Sequence, residues 1–251
     1  MCDKCSETLH HQSLHQDIAP SRRSAMLFGA AAFGMAFAGG ALAKESKQPP
    51  KPQNVLSPDA SLKRLMEGNA RYVDGVARRH DFKHEREALV GGQNPFAAVL
   101  SCADSRIAPE YAFDSGRGDL FVCRVAGNFA GTETIASMEY AVAVLGAPLI
   151  LVLGHDACGA VDATLKAIKD NTSPPGHIPS LVDAIAPAAK AAMQQGGDVL
   201  NKAIRQNVID NVAKLKTAAP ILNAAAEQGK LKVVGGIYRL ATGTVDLISQ
   251  G

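Results

Sequence analysis

Four short apolar runs, Phe96–Leu100, Leu120–Val125, Leu149–Leu153 and Lys232–Tyr238, stand out from the chain. Between and around them apolar residues recur at helical spacing, over Thr132–Leu145, Gly159–Lys169, Leu181–Gln194 and Val199–Ala218. Near-continuous apolar runs of strand length are the mark of strands buried on both faces. Their alternation with helices predicts an α/β fold with a mostly parallel sheet flanked by helices. Right-handed crossovers then place all the carboxyl ends on one edge, where open α/β sheets bind their ligands. Ahead of this block, Ser57 or Asp59 caps a predicted helix with Leu62, Leu65 and Met66 at helical spacing and Tyr72 near its end. A second helix is predicted over Asp81–Val90, stopped by Gly91-Gly92.

The N-terminal region reads differently. Residues 1–20 are polar, and Cys2-x-x-Cys5 with His10, His11 and His15 offers metal-ligand types in what composition otherwise describes as an unstructured leader. Ser21-Arg22-Arg23-Ser24 precedes the uncharged run Leu27–Ala43, which ends in the small-x-small pattern Ala41-Leu42-Ala43. Positive region, apolar region and cleavage pattern together predict an export signal over residues 1–43. The paired arginines resemble a twin-arginine signal, although Ala25 and Met26 stand where that motif usually has Phe and Leu, so Sec export stays open. An uncleaved anchor is the competing reading, but the run is short of the ~20 apolar residues of a span. A Pro-rich linker is expected over residues 44–58, carrying Pro49, Pro50, Pro52 and Pro58, and one domain over residues 59–251. The mature chain is expected to be soluble, periplasmic and off the membrane.

Composition narrows the function classes. A formal charge of +2 with interleaved signs, no Trp and 5% aromatic residues argues against a nucleic-acid partner. Five unevenly spread cysteines do not make a disulfide framework. Cys123 lies among apolar neighbours and reads as a core residue, while His80, His84 and His177 lack a partner pattern and read as surface residues, one of which could shuttle protons.

Chemistry concentrates where two of the strands end. Ser101-Cys102-Ala103-Asp104-Ser105-Arg106 follows the first run, and Gly154-His155-Asp156-Ala157-Cys158-Gly159 follows the third. Cys102, Asp104, His155 and Cys158 form a usable donor set for tetrahedral Zn²⁺. His155 and Cys158 are spaced as on one helical turn, and Cys158 opens a helix whose N-terminal field favours a thiolate. Arg106 changes the reading, because a guanidinium two residues from Asp104 can hold that carboxylate bidentately and keep it off the metal. Cys102, His155 and Cys158 are then the three metal ligands, with water in the fourth position; Asp104 as fourth ligand would be a closed, inactive form. The freed Asp104 can hydrogen-bond and aim a zinc-held hydroxide, and a metal site of zero formal charge favours activity at neutral to alkaline pH.

Cys102-x-Asp104-Ser105-Arg106 with His155-x-x-Cys158 resembles the signature of the β-class carbonic anhydrases. The likeness runs from about Ser61 to Val245 and takes in Arg124-Val125-Ala126-Gly127-Asn128 and Ser137-Met138-Glu139-Tyr140-Ala141-Val142. The resemblance implies reversible hydration of CO₂ to bicarbonate and a proton, Zn²⁺ as cofactor, and a homodimer or higher homo-oligomer. It also implies Asp104 and Arg106 as an orienting catalytic dyad and a plant-type substrate pocket. In that pocket Gln93, nine positions before Cys102, supplies a polar contact and Phe121, Ala126 and Tyr140 an apolar wall, partly from the partner subunit. The bicarbonate-regulated branch uses a Trp, which this sequence lacks. Alternatives left open by the residues are hydrolysis of a CO₂ analogue such as COS or CS₂ at the same centre, or a closed zinc site without catalysis. The Cys102 and Cys158 positions do not have the Cys-x-x-Cys spacing of thiol-redox chemistry.

Overall fold

The computed structural model describes residues 55–249, so the expected export signal and most of the Pro-rich linker lie outside the described residues. A five-stranded sheet, in the order β2-β1-β3-β4-β5, is built from β1 (Ala97–Ser101), β2 (Leu120–Arg124), β3 (Leu149–His155), β4 (Lys232–Tyr238) and β5 (Val245–Ser249). The first four are parallel and β5 runs antiparallel to β4. Among the described residues eight helices surround them: α1 (Pro58–Val73), α2 (Phe82–Ala88), α3 (Pro109–Ala112), α4 (Thr132–Ala143), α5 (Gly159–Asp170), α6 (Pro179–Gln195), α7 (Val199–Lys216) and α8 (Ile221–Glu227). From β1 the chain steps outward to β2, then returns past β1 to β3. The carboxyl ends of β1 and β3 therefore flank the point where strand order reverses, the place at which such sheets open a crevice.

Strand alternation divides the core. Ala97, Val99, Leu149, Leu151, Leu153 and Val234 face α1 and α3 with Leu65 and Phe113. Ala98, Leu100, Ile150, Val152 and Val233 face α4, α7 and α8 with Met138, Val212, Leu215 and Leu222. Burial on both faces explains why these strands are apolar throughout. A third cluster joins Cys102 and Cys158 to Ile185 of α6 and Ile204 of α7, so the candidate ligands rest on core packing rather than on a surface loop.

Ser57 is the residue that caps α1, its hydroxyl accepting from the Ala60 N–H at 3.2 Å. Farther along α1, buried Asn69 donates to the carbonyls of Ala112 and Gly243 and accepts from the Val245 N–H at 2.9 Å, tying α1 to α3 and to β5. Gly68 permits this approach, since a Cβ there would lie 2.0 Å from the Phe113 carbonyl oxygen.

Three elements go beyond the sequence expectation. α3 and α8 are too short to show a period, with four and seven residues respectively. β5 has its apolar run interrupted by Asp246 and a register irregularity opposite Gly235/Gly236, and it is an edge strand that needs no continuous apolar run. Among the described residues, no helix is long and apolar enough to cross a membrane. Gly68→Ala should lower stability by about 1–3 kcal/mol, because the clash is with backbone that cannot rotate away. Thermal unfolding should show this as a drop in Tm of roughly 5 °C.

Candidate active site

β1 hands the chain to Cys102 at the sheet's carboxyl edge, and the neighbouring β3 runs two residues past Leu153 to finish on His155. The His155–Cys158 spacing is that of a helical turn, but the structure achieves the juxtaposition otherwise. His155 closes a strand, Cys158 is the N-cap of α5, and Ala157 between them makes the reversal with a left-handed φ of 50°. Cys102 Sγ and Cys158 Sγ are 4.0 Å apart. The ligand atoms of Cys102, His155 and Cys158 all lie within 4.8 Å of one another, and all three residues are buried. Sulfurs sharing a tetrahedral Zn²⁺ at ~2.3 Å would sit roughly 3.8 Å apart, so the spacing fits that ion with little adjustment.

The imidazole supplies a second test of fit. His155 Nδ1 lies 2.8 Å from the Asp156 carbonyl oxygen, which can only accept, so Nδ1 carries the proton and Nε2 the lone pair. That Nε2 is buried with no hydrogen-bond partner. An orphaned buried acceptor beside two sulfurs is costly unless a cation takes its lone pair. The thiols show the same tension. The hydrogen bond from Cys158 pulls Cys102 well below its ordinary value. Beside that thiolate, and buried, Cys158 is pushed far above its own. For His155 burial opposes protonation, but Cys102, the Asp156 carbonyl and Asp104 together outweigh it and the net direction is upward. A divalent cation among the three would let both sulfurs ionise and the imidazole stay neutral.

Asp104 stands just outside this group. Arg106 donates from Nε to Oδ1 at 2.9 Å and from Nη2 to Oδ2 at 2.7 Å, and its backbone N–H adds a third bond to Oδ1 at 2.9 Å. The guanidinium holds the carboxyl below the usual carboxylate range, so Asp104 is ionised throughout the neutral region. Its Oδ2, with the fewer donors, is 3.8 Å from His155 Nε2. Arg106 also reaches the Ala157 carbonyl at 3.3 Å, linking the loop after β1 to the turn after β3.

The expected substrate residues fall in two places. Phe121 on β2 and Tyr140 on α4 meet with ring centroids 6.3 Å apart, Phe121 half-buried and Tyr140 exposed. Ala126 follows β2 and is half-buried. Gln93 is exposed and precedes β1, at the amino end of the strand whose carboxyl end leads to Cys102, so within this chain it lies at the opposite end of β1 from Cys102. Cys123 is half-buried, and burial pushes its thiol up. His80 and His84, which lacked a sequence pattern, have partners: His80 Nδ1 is 2.9 Å from Glu85 and His84 Nδ1 2.6 Å from Asp81. His177 is exposed.

Comparison with known proteins decides the family. The family model described as "Carbonic anhydrase" matches residues 97–245, more than half of the chain. Carbonic anhydrase 2 of Mycobacterium tuberculosis is 40% identical over 188 residues, covering 74% of this chain and 91% of the relative. The carbonic anhydrase of Mycolicibacterium smegmatis is 40% identical over 195 residues, covering 77% and 95%. A solved β-carbonic anhydrase from Coccomyxa, in complex with acetazolamide, superposes with a TM-score of 0.59 at 30% identity, over 74% of this chain and 86% of that one. The chain belongs to the β-class carbonic anhydrase family. It is a carbonic anhydrase, a lyase that takes CO₂ as substrate, on the α/β fold predicted from its sequence.

One residue of this carbonic anhydrase has a structural part that its sequence context did not disclose. Arg124, the last residue of β2, donates from Nε to the Cys102 carbonyl at 3.0 Å and from Nη2 to the carbonyls of Asp104 and Ile107 at 2.7 and 2.8 Å. It thus spans the whole loop that carries Cys102, Asp104 and Arg106. The register Ser101↔Arg124 puts it there, and that register is a property of the sheet. A lysine keeps the charge but not the planar fork. Arg124→Lys should therefore lower CO₂ hydration and speed loss of metal to a chelator, each by ~10-fold or more. Stopped-flow hydration and a chelator-competition time course check this.

Proposed function

We propose that this β-class carbonic anhydrase hydrates CO₂ reversibly to bicarbonate and a proton at a Zn²⁺ held by Cys102, His155 and Cys158, with Asp104 and Arg106 orienting the nucleophile. The supporting observation is the bidentate Arg106–Asp104 pair, which occupies the carboxylate and leaves three buried donors able to share one ion. Bound there, Zn²⁺ supplies a hydroxide nucleophile at neutral to alkaline pH by acidifying water.

The protein's own groups do the rest. Asp104 is ionised and held by three hydrogen bonds from Arg106, so Oδ2 can accept a hydrogen bond from the incoming nucleophile and set the direction of its remaining lone pair towards CO₂. Arg106 keeps that carboxylate from turning onto the metal as a fourth ligand, which would close the site. Phe121, Tyr140 and Ala126 form the apolar wall suited to a small apolar gas. Gln93 is the polar contact; its place at the far end of β1 fits delivery by a second copy, and the proposal includes a homodimer or larger homo-oligomer.

Residues 1–43 complete the proposal as an export signal, supported by the paired Arg22-Arg23, the uncharged run to Ala43 and the Ala41-Leu42-Ala43 pattern. The enzyme would then work in the periplasm. N-terminal sequencing of the exported protein should begin at Lys44, and replacing Arg22 and Arg23 with lysine should block export if the twin-arginine route is used.

Metal analysis of the full-length enzyme should find one zinc per chain. Arg106→Ala should keep that zinc and lose CO₂ hydration by ~10–100-fold, since Asp104 is free to turn inward. Wild-type-like turnover in Arg106→Ala would remove the dyad from the mechanism, and a metal-free active enzyme would remove the zinc.

A further inference from the structure

Behind Cys102 lies a chain of hydrogen bonds that begins on α7. The Gly127 N–H donates to Cys102 Sγ at 3.3 Å. The carbonyl of the same Gly127 accepts from Asn207 Nδ2 at 2.8 Å. Asn211, one turn along α7, donates from Nδ2 to the Asn207 carbonyl at 2.7 Å and to Asn207 Oδ1 at 3.2 Å. Its own Oδ1 accepts from the Ala130 N–H at 2.7 Å. Two side-chain amides on one helix therefore hold both ends of the loop 127–130. From the other side Ile185 of α6 closes the space: Gly127 has a φ of +84°, and a Cβ on it would lie 2.4 Å from Ile185 Cδ1.

Both asparagines are buried, beside the core residues Val208 and Val212. Asparagine is a poor choice for a helix interior and costly to bury unless its polar atoms are satisfied. Here the oxygen and nitrogen of each side chain are spent on the loop or on the other asparagine. Packing alone would be served better by apolar residues, so the pair has a task directed at the loop.

We propose that Asn207, supported by Asn211, is a positioning residue for the Cys102 sulfur: it aims the Gly127 amide at Sγ and thereby limits how much charge that ligand gives to the metal. The inference rests on the Cys-His-Cys metal reading above. An N–H pointed at a thiolate makes a charge-assisted bond and withdraws electron density from the sulfur. Groups one step removed from a metal tune it by this means. With two sulfurs in the donor set, restraint on one of them favours a more acidic metal centre, which the hydration reaction needs near neutral pH. Arg124 acts on the Cys102 carbonyl rather than the sulfur, so the two devices are separable.

The test compares full-length wild type, Asn207→Ala, Asn207→Asp and Leu215→Ala, each loaded with Co²⁺ and read by its sulfur-to-cobalt charge-transfer band. In both Asn207 variants the band should move to longer wavelength, because a more electron-rich sulfur is easier to oxidise. The zinc forms of the same variants should show an upward shift in the pH midpoint of CO₂ hydration, with the rate at pH 7 falling ~10-fold and less change at alkaline pH. Leu215→Ala opens an apolar cavity under the same helix without removing any hydrogen bond to the loop, and should leave the band in place. Should Asn207→Ala fail to fold, the nearly isosteric Asn207→Asp carries the test. An unmoved band in Asn207→Asp, or an equal shift in Leu215→Ala, overturns the proposal. A wild type that shows no sulfur-to-cobalt band overturns the metal reading instead.

Discussion

A buried imidazole nitrogen without a partner, facing two sulfurs 4.0 Å apart, is the constraint on which the rest of this structure turns. Left to themselves these groups compete for protons: Cys102 is held below its ordinary value, Cys158 above its own, and the imidazole is shifted upward. Such a cluster is expensive in a protein interior unless something positive sits among its members. The surrounding fold is arranged to keep them together in spite of that cost. Cys102 and Cys158 are packed with Ile185 and Ile204, and His155 is the last residue of a strand buried along its whole length.

Two kinds of support keep the geometry. One is the parallel sheet, whose reversal of strand order sets the ends of β1 and β3 side by side without any specific side-chain contact. The other is a set of hydrogen bonds to backbone carbonyls in the loops beyond those ends. Arg124 takes three of them after β1, Arg106 takes the Ala157 carbonyl after β3, and Asn207 takes that of Gly127. Loop carbonyls near a buried edge need donors in any case. Drawing those donors from β2, the Cys102 loop and α7 means that several parts of the chain must be in place before the ligand group is.

The Asp104–Arg106 pair shows why a short motif can say so much. Its partners are two residues apart, so a backbone N–H and a guanidinium of the same residue converge on one carboxylate with little dependence on the remote fold. The charge state of Asp104 is settled by the same contact. A pair formed this locally survives substitution elsewhere better than one assembled across the sheet.

Local rules were therefore legible from the residues alone. The apolar runs marked β1 to β4, Ser57 or Asp59 and then Asp81 marked two helix starts, and the two motifs marked the candidate ligands and the Asp104–Arg106 pair, because each depends on neighbours within a few positions. What the sequence could not show depends on register and on packing between distant segments. β5 is an antiparallel edge strand whose pairing with β4 supplies what its pattern lacks. His155 and Cys158 meet through a left-handed turn at Ala157 rather than a helical face. The reach of Arg124, and of Asn207 to a loop 80 residues earlier in the chain, exists only because the sheet register and the seat of α7 bring those atoms within hydrogen-bond distance. Residue identity determined which groups could bind an ion; the tertiary fold decided which of them lie close enough to share one, since distance in space and not in sequence sets that chemistry.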